Sequence, residues 1–415
     1  MKIYKFGGAS IKDADAIRNV ANVLKQTNFT KGVIVASAMG KTTNALEEVV
    51  AAIFHNKNTL NEKIDFVEKY HLEIVNQLFE NKNHRVFEKI SMLFSQLKLF
   101  LDNNKSPLYN FVYDQIVSMG EVLSTTILSE YLNEIQFNNQ WLDARNLIKT
   151  DNTYREAIVD WKLTEENIQQ IKGNDIYVTQ GFIGSDANCF SVTLGREGSD
   201  YSAAIFAYCL DAKSLTIWKD VPGVLNADPR YFEDYIQLQQ ISYTEAIELS
   251  FYGASVIHPK TLQPLQKKEI PLYVKSFIQP EKAGTAVSRG LDLVPYTPCF
   301  IVKKNQLLIS FSSKDFSFIL ENQVSEIFKL FAKYRIKVQV IQNSAISFSV
   351  CVEDKFENFD ILYAELKNQF AITYNKNVNL YTVRHFTSES IDKICKNKEI
   401  LLQQINRNTI QIISK

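Results

Sequence analysis

The sequence MKIYKFGGAS, residues 1–10, places a short apolar segment directly before two glycines. The segment Ile3–Phe6 predicts a β-strand, and the paired glycines predict a loop whose backbone can approach another group closely. A helix with one apolar face is expected at Asp13–Lys25, and the run Gly32–Ser37 predicts a second strand. A near-continuous apolar strand is typical of a parallel sheet covered on both faces.

This alternation of strands and helices continues along the chain. Residues 43–133 have apolar spacing near 3.6 and predict mostly helices. Further elements are expected beyond them: strands at Trp141–Leu142, Ile176–Thr179 and Leu215–Trp218, and a helix at Asp200–Leu210. The pattern predicts an α/β doubly wound domain with a helical insertion, in which ligands bind where strands end and loops begin.

Glycine and proline divide the chain in two. All 14 glycines lie at or before Gly290 and all nine prolines at or before Pro298. Because glycine-rich loops serve close backbone approach and turns, residues 1–295 are expected to be the ligand-handling domain. The stretch Pro295–Pro298 predicts a stiff linker. Residues 299–415 are expected to form a second, smaller domain.

The second domain has a different rhythm. Its first part predicts a ferredoxin-like α+β unit, with strands at Leu307–Phe311, Val338–Ile341 and Ser347–Val352 and helices at Gln323–Tyr334 and Phe359–Gln369. A strand at Val378–Val383, a helix at Ser388–Gln404 and a strand at Thr409–Ser414 follow. These are too few for a second complete unit, so the second unit is expected to be abbreviated, with its last strand completing the sheet of the first.

The bulk composition narrows the class of protein. Lys+Arg and Asp+Glu both number 46 in 415 residues, so no nucleic-acid or membrane partner is indicated. No apolar run approaches the ~20 residues of a membrane span. The five cysteines are far apart and form no CxxC pair, which predicts a reducing cytoplasm and no zinc or disulfide framework. The five histidines show no metal spacing, so no protein-held metal site is expected.

Two glycine-containing loops have the character of anion cradles. Lys5–Ser10 links a strand to a helix, and Gly195–Ser202 opens the helix expected at Asp200. Backbone N–H groups and a helix N-terminus both favour negative charge there. A plain tight turn in the first loop, and an N-cap role for Asp200 in the second, are the structural alternatives.

A third loop, Lys219–Arg230, follows an apolar strand. Its cations suit phosphate groups, and a long turn rich in helix-stop residues is the alternative. The segment Ala38–Thr42 resembles the end of a P-loop, but Val35 stands where that motif needs a glycine.

Together these loops resemble the amino-acid kinase family and, within it, the aspartate kinases. The matching stretches follow one another along the chain: KFGGAS at 5–10, SAMGKTTNAL at 37–46, SMGEVLS at 118–124, LGREGSDYSAA at 194–204, KDVPGVLNADPR at 219–230 and GASVIHPKT at 253–261. The resemblance implies an open αβα sandwich with a mainly parallel sheet, followed by a ferredoxin-like ACT regulatory domain that mediates dimer contacts.

The resemblance also implies roles for individual residues. Lys5 and Asp200 match the catalytic positions. The positions that hold aspartate are matched by Ser37, Thr43, Glu121, Arg196 and Ser199. The nucleotide-binding positions are matched by Gly7, Gly8, Lys219, Asp220, Asp228 and Arg230. Ser344 matches a position that can contact an effector.

The implied reaction is ATP-dependent phosphorylation of the β-carboxylate of L-aspartate with Mg²⁺, the first step toward lysine, threonine and methionine. An aspartate side chain is already ionised at neutral pH, since its reference pKa is near ~4. The nucleophile needs no general base, and the task is to bring an anion to a polyanion. The chemistry therefore agrees with a site built from lysine, arginine and backbone N–H groups.

The sequence departs from the family pattern at several positions. Ala9 stands where threonine is common, Glu197 where glycine is common, Lys219 where threonine is common, Leu225 where tyrosine is common, and Ser255 where a nucleotide-contacting lysine is usual. Because a lysine is missing at Ser255 and an unusual one appears at Lys219, we expect Lys219 to replace the lost charge.

Two other functions fit parts of the sequence. A kinase for glutamate, acetylglutamate or a related acid would share the phosphate loops but not Ser37–Asn44 with Glu121. A catalytically inactive ACT sensor would retain the second domain, but intact Lys5, Arg196 and Asp200 argue against it.

The resemblance implies an effector loop at Ser312–Phe318, which contains no glycine and carries two phenylalanines, Phe316 and Phe318. Because glycine at such a loop lets backbone groups approach a ligand, the second domain is expected to serve mainly dimer packing, with weak or absent inhibition by lysine or threonine. A loop that binds an effector in another way is the alternative.

Overall fold

The computed structural model describes residues 1–171, 175–254, 257–315 and 317–415. The chain forms two compact units. The first contains Met1–Val224, Gln237–Ser250 and Ser255–Pro295, and the second contains Leu225–Ile236, Phe251–Ala254 and Tyr296–Lys415. Two short segments from before Pro295 thus belong to the second unit, which the glycine and proline boundary did not predict.

The first unit is built on ten strands. They are β1 (Lys2–Phe6), β2 (Gly32–Ala36), β3 (Gln140–Leu142), β4 (Ile176–Gln180), β5 (Ile183–Ser185), β6 (Ser191–Thr193), β7 (Ser214–Lys219), β8 (Gln240–Ser242), β9 (Leu272–Ser276) and β10 (Thr285–Ser288). Eight of them form one sheet in the order β3-β4-β2-β1-β7-β9-β10-β8. All neighbours are parallel except β9 and β10, so the predicted mainly parallel sheet is confirmed. The short strands β5 and β6 form a separate hairpin.

Among the described residues, eleven α-helices are associated with these strands. They are α1 (Ala14–Gln26), α2 (Thr42–His55), α3 (Leu60–Leu78), α4 (Arg85–Asn103), α5 (Tyr109–Val117), α6 (Met119–Glu134), α7 (Ala144–Leu147), α8 (Trp161–Ile168), α9 (Gly198–Cys209), α10 (Tyr243–Tyr252) and α11 (Pro259–Lys267). Helices α2 to α6 confirm the helical insertion predicted for residues 43–133. Each helix that connects two parallel strands returns the chain to the same end of the sheet, which is the physical reason for the strand–helix alternation.

The sheet register brings four strand ends to one edge. Phe6 at the end of β1 pairs with Ala36 of β2 and with Trp218 of β7, and Ala36 pairs with Gln180 of β4. Phe6 and Trp218 are fully buried and stack on each other with ring centroids 6.2 Å apart. The loops that follow these strands are therefore collected at the carboxyl edge, where open α/β sheets bind ligands.

The second unit is a six-stranded antiparallel sheet with three helices. Its elements are β11 (Cys299–Ser313), α12 (Glu321–Lys333), β12 (Lys337–Asn343), β13 (Ser347–Glu353), α13 (Phe359–Leu366), β14 (Phe370–Arg384), α14 (Ser388–Cys395), β15 (Ile400–Ile405) and β16 (Thr409–Ser414). The strand order is β12-β13-β11-β14-β16-β15. Residues 306–313 of β11, with α12, β12, β13 and α13, form the predicted strand–helix–strand–strand–helix unit, and the start of β14 adds a sixth element that was not predicted.

Two strands are longer than predicted and serve both halves of this sheet. The first residues of β11, Cys299–Lys303, pair with Leu380–Arg384 at the far end of β14, and β16 pairs with the same end of β14. The second ferredoxin-like unit therefore takes its fourth strand from the start of β11. The expectation that the last strand completes the first unit's sheet is wrong, because β14 completes it.

The helix predicted at Ser388–Gln404 is also too long. The helix α14 ends at Cys395, and β15 occupies Ile400–Ile405 as the edge strand beside β16. The run of apolar residues at 400–402 fits a strand or a helix equally well, and pairing with β16 decides between them. In the part of the chain that the structure describes, no helix is both long and apolar enough to cross a membrane.

Candidate active site

Three charged side chains meet at the carboxyl edge of the sheet. Lys5 Nζ lies 2.6 Å from Asp200 Oδ1, and Lys219 Nζ lies 3.6 Å from Asp200 Oδ2. Lys5 and Asp200 are buried, with 7% and 3% of their surface exposed. Two loops that the sequence predicts to be phosphate cradles are thus joined by a buried ion pair.

Helix α9 presents Asp200 to the two lysines. The helix begins at Gly198, and its N-cap is Glu197, whose φ of 53° lies in the left-handed region. The alternative role of Asp200 as an N-cap is therefore wrong, since Asp200 is the third helical residue. Burial raises the pKa of Asp200, but the charges of Lys5 and Lys219 outweigh it and hold that pKa below its usual value.

The glycine pair allows two loops to touch. A Cβ on Gly8 would lie 2.8 Å from the Ala38 carbonyl oxygen, and the Gly40 N–H donates to the Gly8 carbonyl at 3.0 Å. A Cβ on Gly7 would lie 3.4 Å from Lys5 Nζ. Gly8 is thus required by packing between the loops after β1 and β2, while Gly7 keeps the space around the Lys5 ammonium open.

Glu121, in the first turn of α6, is a buried carboxylate with an unused oxygen. Its Oε1 accepts a hydrogen bond from the Ala38 N–H at 3.1 Å, and Oε2 has no hydrogen-bond partner among the described residues. Burial raises the pKa of Glu121 to about 8, against the opposing effect of hydrogen bonds and of Lys5. An uncompensated buried carboxylate is costly, so this one fits a cationic ligand group.

The other residues predicted to hold substrate lie in the loops after β2 and before α9 or in the first turns of the helices that follow them. Ser37 directly follows β2, and its carbonyl accepts a hydrogen bond from Ser124 Oγ at 2.6 Å. Thr43, the second residue of α2, is half-buried, and Ser199 is buried beside Asp200 on α9. Arg196 lies on the surface of its loop, where it is exposed. A surface arginine is free to turn toward a carboxylate.

The predicted nucleotide residues fall into both units. Lys219 ends β7 beside Asp200, and Asp220 follows it in an exposed position. Asp228 and Arg230 belong to the second unit, where Arg230 binds both carboxylate oxygens of Asp228, with Nη2 2.6 Å from Oδ2. Ser255, the position of the missing lysine, lies outside the described residues, so replacement of its charge by Lys219 stays a prediction.

The predicted effector position lies in the first ferredoxin-like unit. Ser344 is exposed and its Oγ hydrogen-bonds Ser347 Oγ at 2.7 Å. The Ile319 N–H donates to the Ala345 carbonyl at 3.2 Å, so the loop after β11 lies beside the loop after β12. Phe318 is 66% exposed, and Phe316 lies outside the described residues.

Sequence reasoning missed two contributions to the site. It assigned Lys219 to the nucleotide without its ion pair to Asp200, and it treated Glu197 only as a departure from a pattern. One Glu197 oxygen, Oε2, is buried without a hydrogen-bond partner in the described structure. One feature of the sequence could have indicated these contributions: Glu197 and Lys219 both stand where the family usually has uncharged residues.

Magnesium binding depends on the oxygen donors at this edge of the sheet. Across residues 1–171, 175–254, 257–315 and 317–415, no three acidic, histidine or cysteine side chains converge as a metal site. A Mg²⁺ ion that arrives with nucleotide phosphates needs only one or two carboxylates, because phosphates and water complete its octahedron. Asp200 supplies ionised oxygens at this edge, so the residues fit a magnesium ion held mainly by substrate.

Comparisons with known proteins agree with this geometry. The model of the amino acid kinase family matches residues 1–276. Lysine-sensitive aspartokinase 3 of Escherichia coli is 30% identical over 358 residues, which cover 85% of this chain and 78% of that protein. A bifunctional aspartokinase/homoserine dehydrogenase of Buchnera aphidicola is 33% identical over 299 residues, and the match covers 36% of that longer protein.

A solved structure matches across the whole chain. The crystal structure of E. coli aspartokinase III in complex with aspartate and ADP has a TM-score of 0.83 and 25% sequence identity, and the match covers 100% of this chain and 96% of the other. The fold and the family model point the same way. The chain therefore belongs to the amino acid kinase family and, within it, to the aspartokinases.

Proposed function

We propose that this protein transfers the γ-phosphoryl group of ATP to the β-carboxylate of L-aspartate, giving 4-phospho-L-aspartate and ADP. The observation that carries the proposal is the buried Lys5–Asp200 ion pair at the carboxyl edge of the sheet. Glu121 is also buried, and it accepts a hydrogen bond from Ala38 in the loop after β2. The similarity to an aspartokinase solved with aspartate and ADP supports this choice of substrates.

The chemical step requires charge compensation and no general base. A carboxylate oxygen of aspartate attacks the γ-phosphorus, an O–P bond forms, and the bond from that phosphorus to the bridging oxygen breaks as ADP leaves. The aspartate side chain is ionised at neutral pH, since its reference pKa is near ~4. Lys5 compensates charge on the transferring group, and Asp200 fixes the Lys5 ammonium at 2.6 Å.

Aspartate itself is held by charges of both signs. Arg196 pairs with a carboxylate of the substrate, since a guanidinium binds carboxylates in a two-pronged geometry. Glu121 accepts the α-ammonium group through its unpartnered Oε2. Ser37, Thr43 and Ser199 supply hydroxyl groups. The requirement for an ammonium group favours aspartate over acetylglutamate, whose nitrogen is an uncharged amide.

The nucleotide is held by loops and by magnesium. Gly7 leaves space for phosphate oxygens beside Lys5, and Gly8 lets the loop after β2 pack against the same segment. Asp220 is assigned a further nucleotide contact. The nucleotide role of Asp228 and Arg230 rests on their match to the family's loop and stays a prediction. When bound, Mg²⁺ neutralises part of the phosphate charge. Asp200 is the carboxylate that would hold it.

The second domain and the cellular setting complete the proposal. Residues 299–415 form a regulatory and dimer-forming domain that follows a catalytic domain at 1–295, and the active species is a homodimer. The reaction takes place in the cytoplasm and starts the synthesis of the aspartate-derived amino acids.

One coupled assay tests the proposal. ADP release is measured with aspartate, glutamate and acetylglutamate in turn, each with and without Mg²⁺. Turnover that needs both aspartate and Mg²⁺ is expected. Preferred turnover of another acid would identify a different kinase. Absence of turnover with every acid, together with tight amino-acid binding in calorimetry, would identify an inactive sensor.

A further inference from the structure

We propose that Lys219 is a second catalytic cation that contacts the transferring phosphoryl group together with Lys5, and that Glu197 positions it. This inference rests on the proposed function. It replaces a general nucleotide-binding role for Lys219 with a specific one at the reacting phosphorus.

The sheet register places both lysines on the same face. Lys5 pairs with Ile217 across the parallel strands β1 and β7. Side chains alternate between the two faces of a strand, so Lys219, two residues after Ile217, points to the same side as Lys5. The two ammonium groups therefore approach Asp200 from neighbouring strands, one at each carboxylate oxygen.

The two lysines share one carboxylate. Lys5 Nζ and Lys219 Nζ both lie within 3.6 Å of an Asp200 oxygen, and ionised Asp200 carries one negative charge for these two contacts. Each lysine has three N–H donors, of which Asp200 can use one or two. The Lys219 side chain keeps 22% of its surface exposed, so it retains access to an arriving phosphate.

Glu197 is the N-cap of α9, three residues before Asp200, and its Oε2 is buried with no hydrogen-bond partner among the described residues. Burial raises the pKa of Glu197 above its usual value, and Lys219 is the strongest of the charges that oppose this rise. The Glu197 backbone is left-handed, a conformation that an L-residue adopts at a cost and that glycine adopts freely. Glu197 is half-buried, and a carboxylate at a position that favours glycine indicates a role for its negative charge, which acts on Lys219.

In the reaction, Lys219 acts as a hydrogen-bond donor and transfers no proton to the substrate. As the bond to the bridging oxygen breaks and the bond to aspartate forms, negative charge spreads over the three equatorial oxygens of the phosphoryl group. Lys5 and Lys219 donate hydrogen bonds to those oxygens from two directions. Two fixed cations suit a transfer in which both nucleophile and donor are anions.

The first test compares Lys219→Thr, Lys219→Arg and Lys2→Thr. Lys2 lies on β1 at the opposite, amino edge and is exposed, so it is a matched control. With saturating ATP and aspartate, Lys219→Thr is expected to lower kcat by about 10–100-fold, somewhat below the loss of a fully buried donor. Lys219→Arg should recover part of the rate, and Lys2→Thr should match the parent.

The second test separates the positioning role of Glu197 by a double-mutant cycle. Glu197→Gln keeps the shape of the side chain and removes its charge. We expect it to lower kcat about fivefold in the parent and less than about twofold in a Lys219→Thr background, since the two residues act together. Equal effects in both backgrounds would show that Glu197 does not act through Lys219.

Melting temperatures measured on every variant identify loss of folded protein. A Lys219→Thr enzyme with parental kcat and a raised KM for ATP would overturn the inference, because Lys219 would then only bind nucleotide. Parental kcat and KM would overturn it as well. Failure of the parent enzyme itself to turn over aspartate would instead overturn the proposed function, so the two failures are distinguishable.

Discussion

The carboxyl edge of the parallel sheet and the antiparallel sheet of the second unit differ in the side chains that they bury, which are charged at the first and apolar in the second. At the first, Lys5, Glu121 and Asp200 are each at most 7% exposed. In the second, the interior consists of side chains such as Phe311, Phe348 and Val350. Among its described residues, the second unit buries a single charged side chain, Arg384, and no acidic one.

The difference teaches how to separate function from packing. Burying a charge costs several kcal/mol unless a partner compensates it, so buried charges accumulate where a ligand will use them. Apolar burial costs nothing of this kind and stabilises in proportion to the area removed from water. Changes at the sheet edge should therefore alter turnover, and changes in the second unit should alter stability or assembly.

The largest expected effect breaks the buried ion pair. Lys5→Ala and Asp200→Ala should each lower kcat by about 100–1,000-fold, the loss associated with one transition-state donor, and should raise KM for aspartate far less. Steady-state ADP release at saturating substrates measures the effect. Near-normal kcat in Lys5→Ala would refute the catalytic assignment.

Loss of the exposed Arg196 side chain should weaken the binding of aspartate and leave kcat less affected. Arg196→Ala is expected to raise KM for aspartate by about 10–100-fold, the value of a charge-assisted hydrogen bond of roughly 1.5–3 kcal/mol. The KM for ATP should change little. Arg289→Ala, a change at an exposed arginine outside the site, is the control, and an equal rise in that variant would make the effect nonspecific.

The third effect concerns the proton on Glu121. Its folded-state pKa of about 8 lies above the usual 4.5, so the folded state binds more protons between these values and stability falls as pH rises through this window. Glu121→Gln should remove that part of the pH dependence. Unfolding by urea at a series of pH values measures it, and identical pH profiles for parent and variant would contradict it.

The same group should release a proton when substrate binds. The α-ammonium of aspartate favours the ionised form of Glu121, so near neutral pH binding should release a fraction of one proton per site. Calorimetry in buffers of different ionisation enthalpy detects it. Binding without proton release in the parent would contradict the role of Glu121 as the ammonium acceptor.

The smallest effect is expected in the second unit. Addition of lysine or threonine should change ADP release little, because the loop after β11 lacks glycine and carries the exposed side chain of Phe318. Calorimetric titration of each amino acid, repeated with a Ser344→Ala variant, measures direct binding. Micromolar binding with strong inhibition, lost in Ser344→Ala, would contradict a domain that serves mainly packing.

The sequence predicted the parallel sheet, the helical insertion and the first ferredoxin-like unit, because hydrophobic periodicity reports burial directly. It did not predict the hairpin β5–β6 or strands β8 to β10, which are three to five residues long and leave little pattern. It also missed the end of α14, where pairing with a distant strand overrides a local apolar run.

The candidate site shows a similar limit. Motifs identified Lys5 and Asp200 as important, but their direct contact depends on register and on where α9 begins. The left-handed backbone of Glu197 is invisible in the sequence, since its residue type gives no sign of a positive φ. The sequence does not reveal that Lys5 and Lys219, which lie on separate strands, both contact the carboxylate of Asp200.

The pairing of Lys303 with Leu380 across the two long strands has a consequence for how such chains are assembled. Everything between these two residues, including α12, β12, β13 and α13, is an insertion into what would otherwise be a hairpin. A turn of two residues is a common connection for a pair of antiparallel strands. An entire repeat can therefore be gained or deleted at this one turn, while the strand order of the other repeat stays the same.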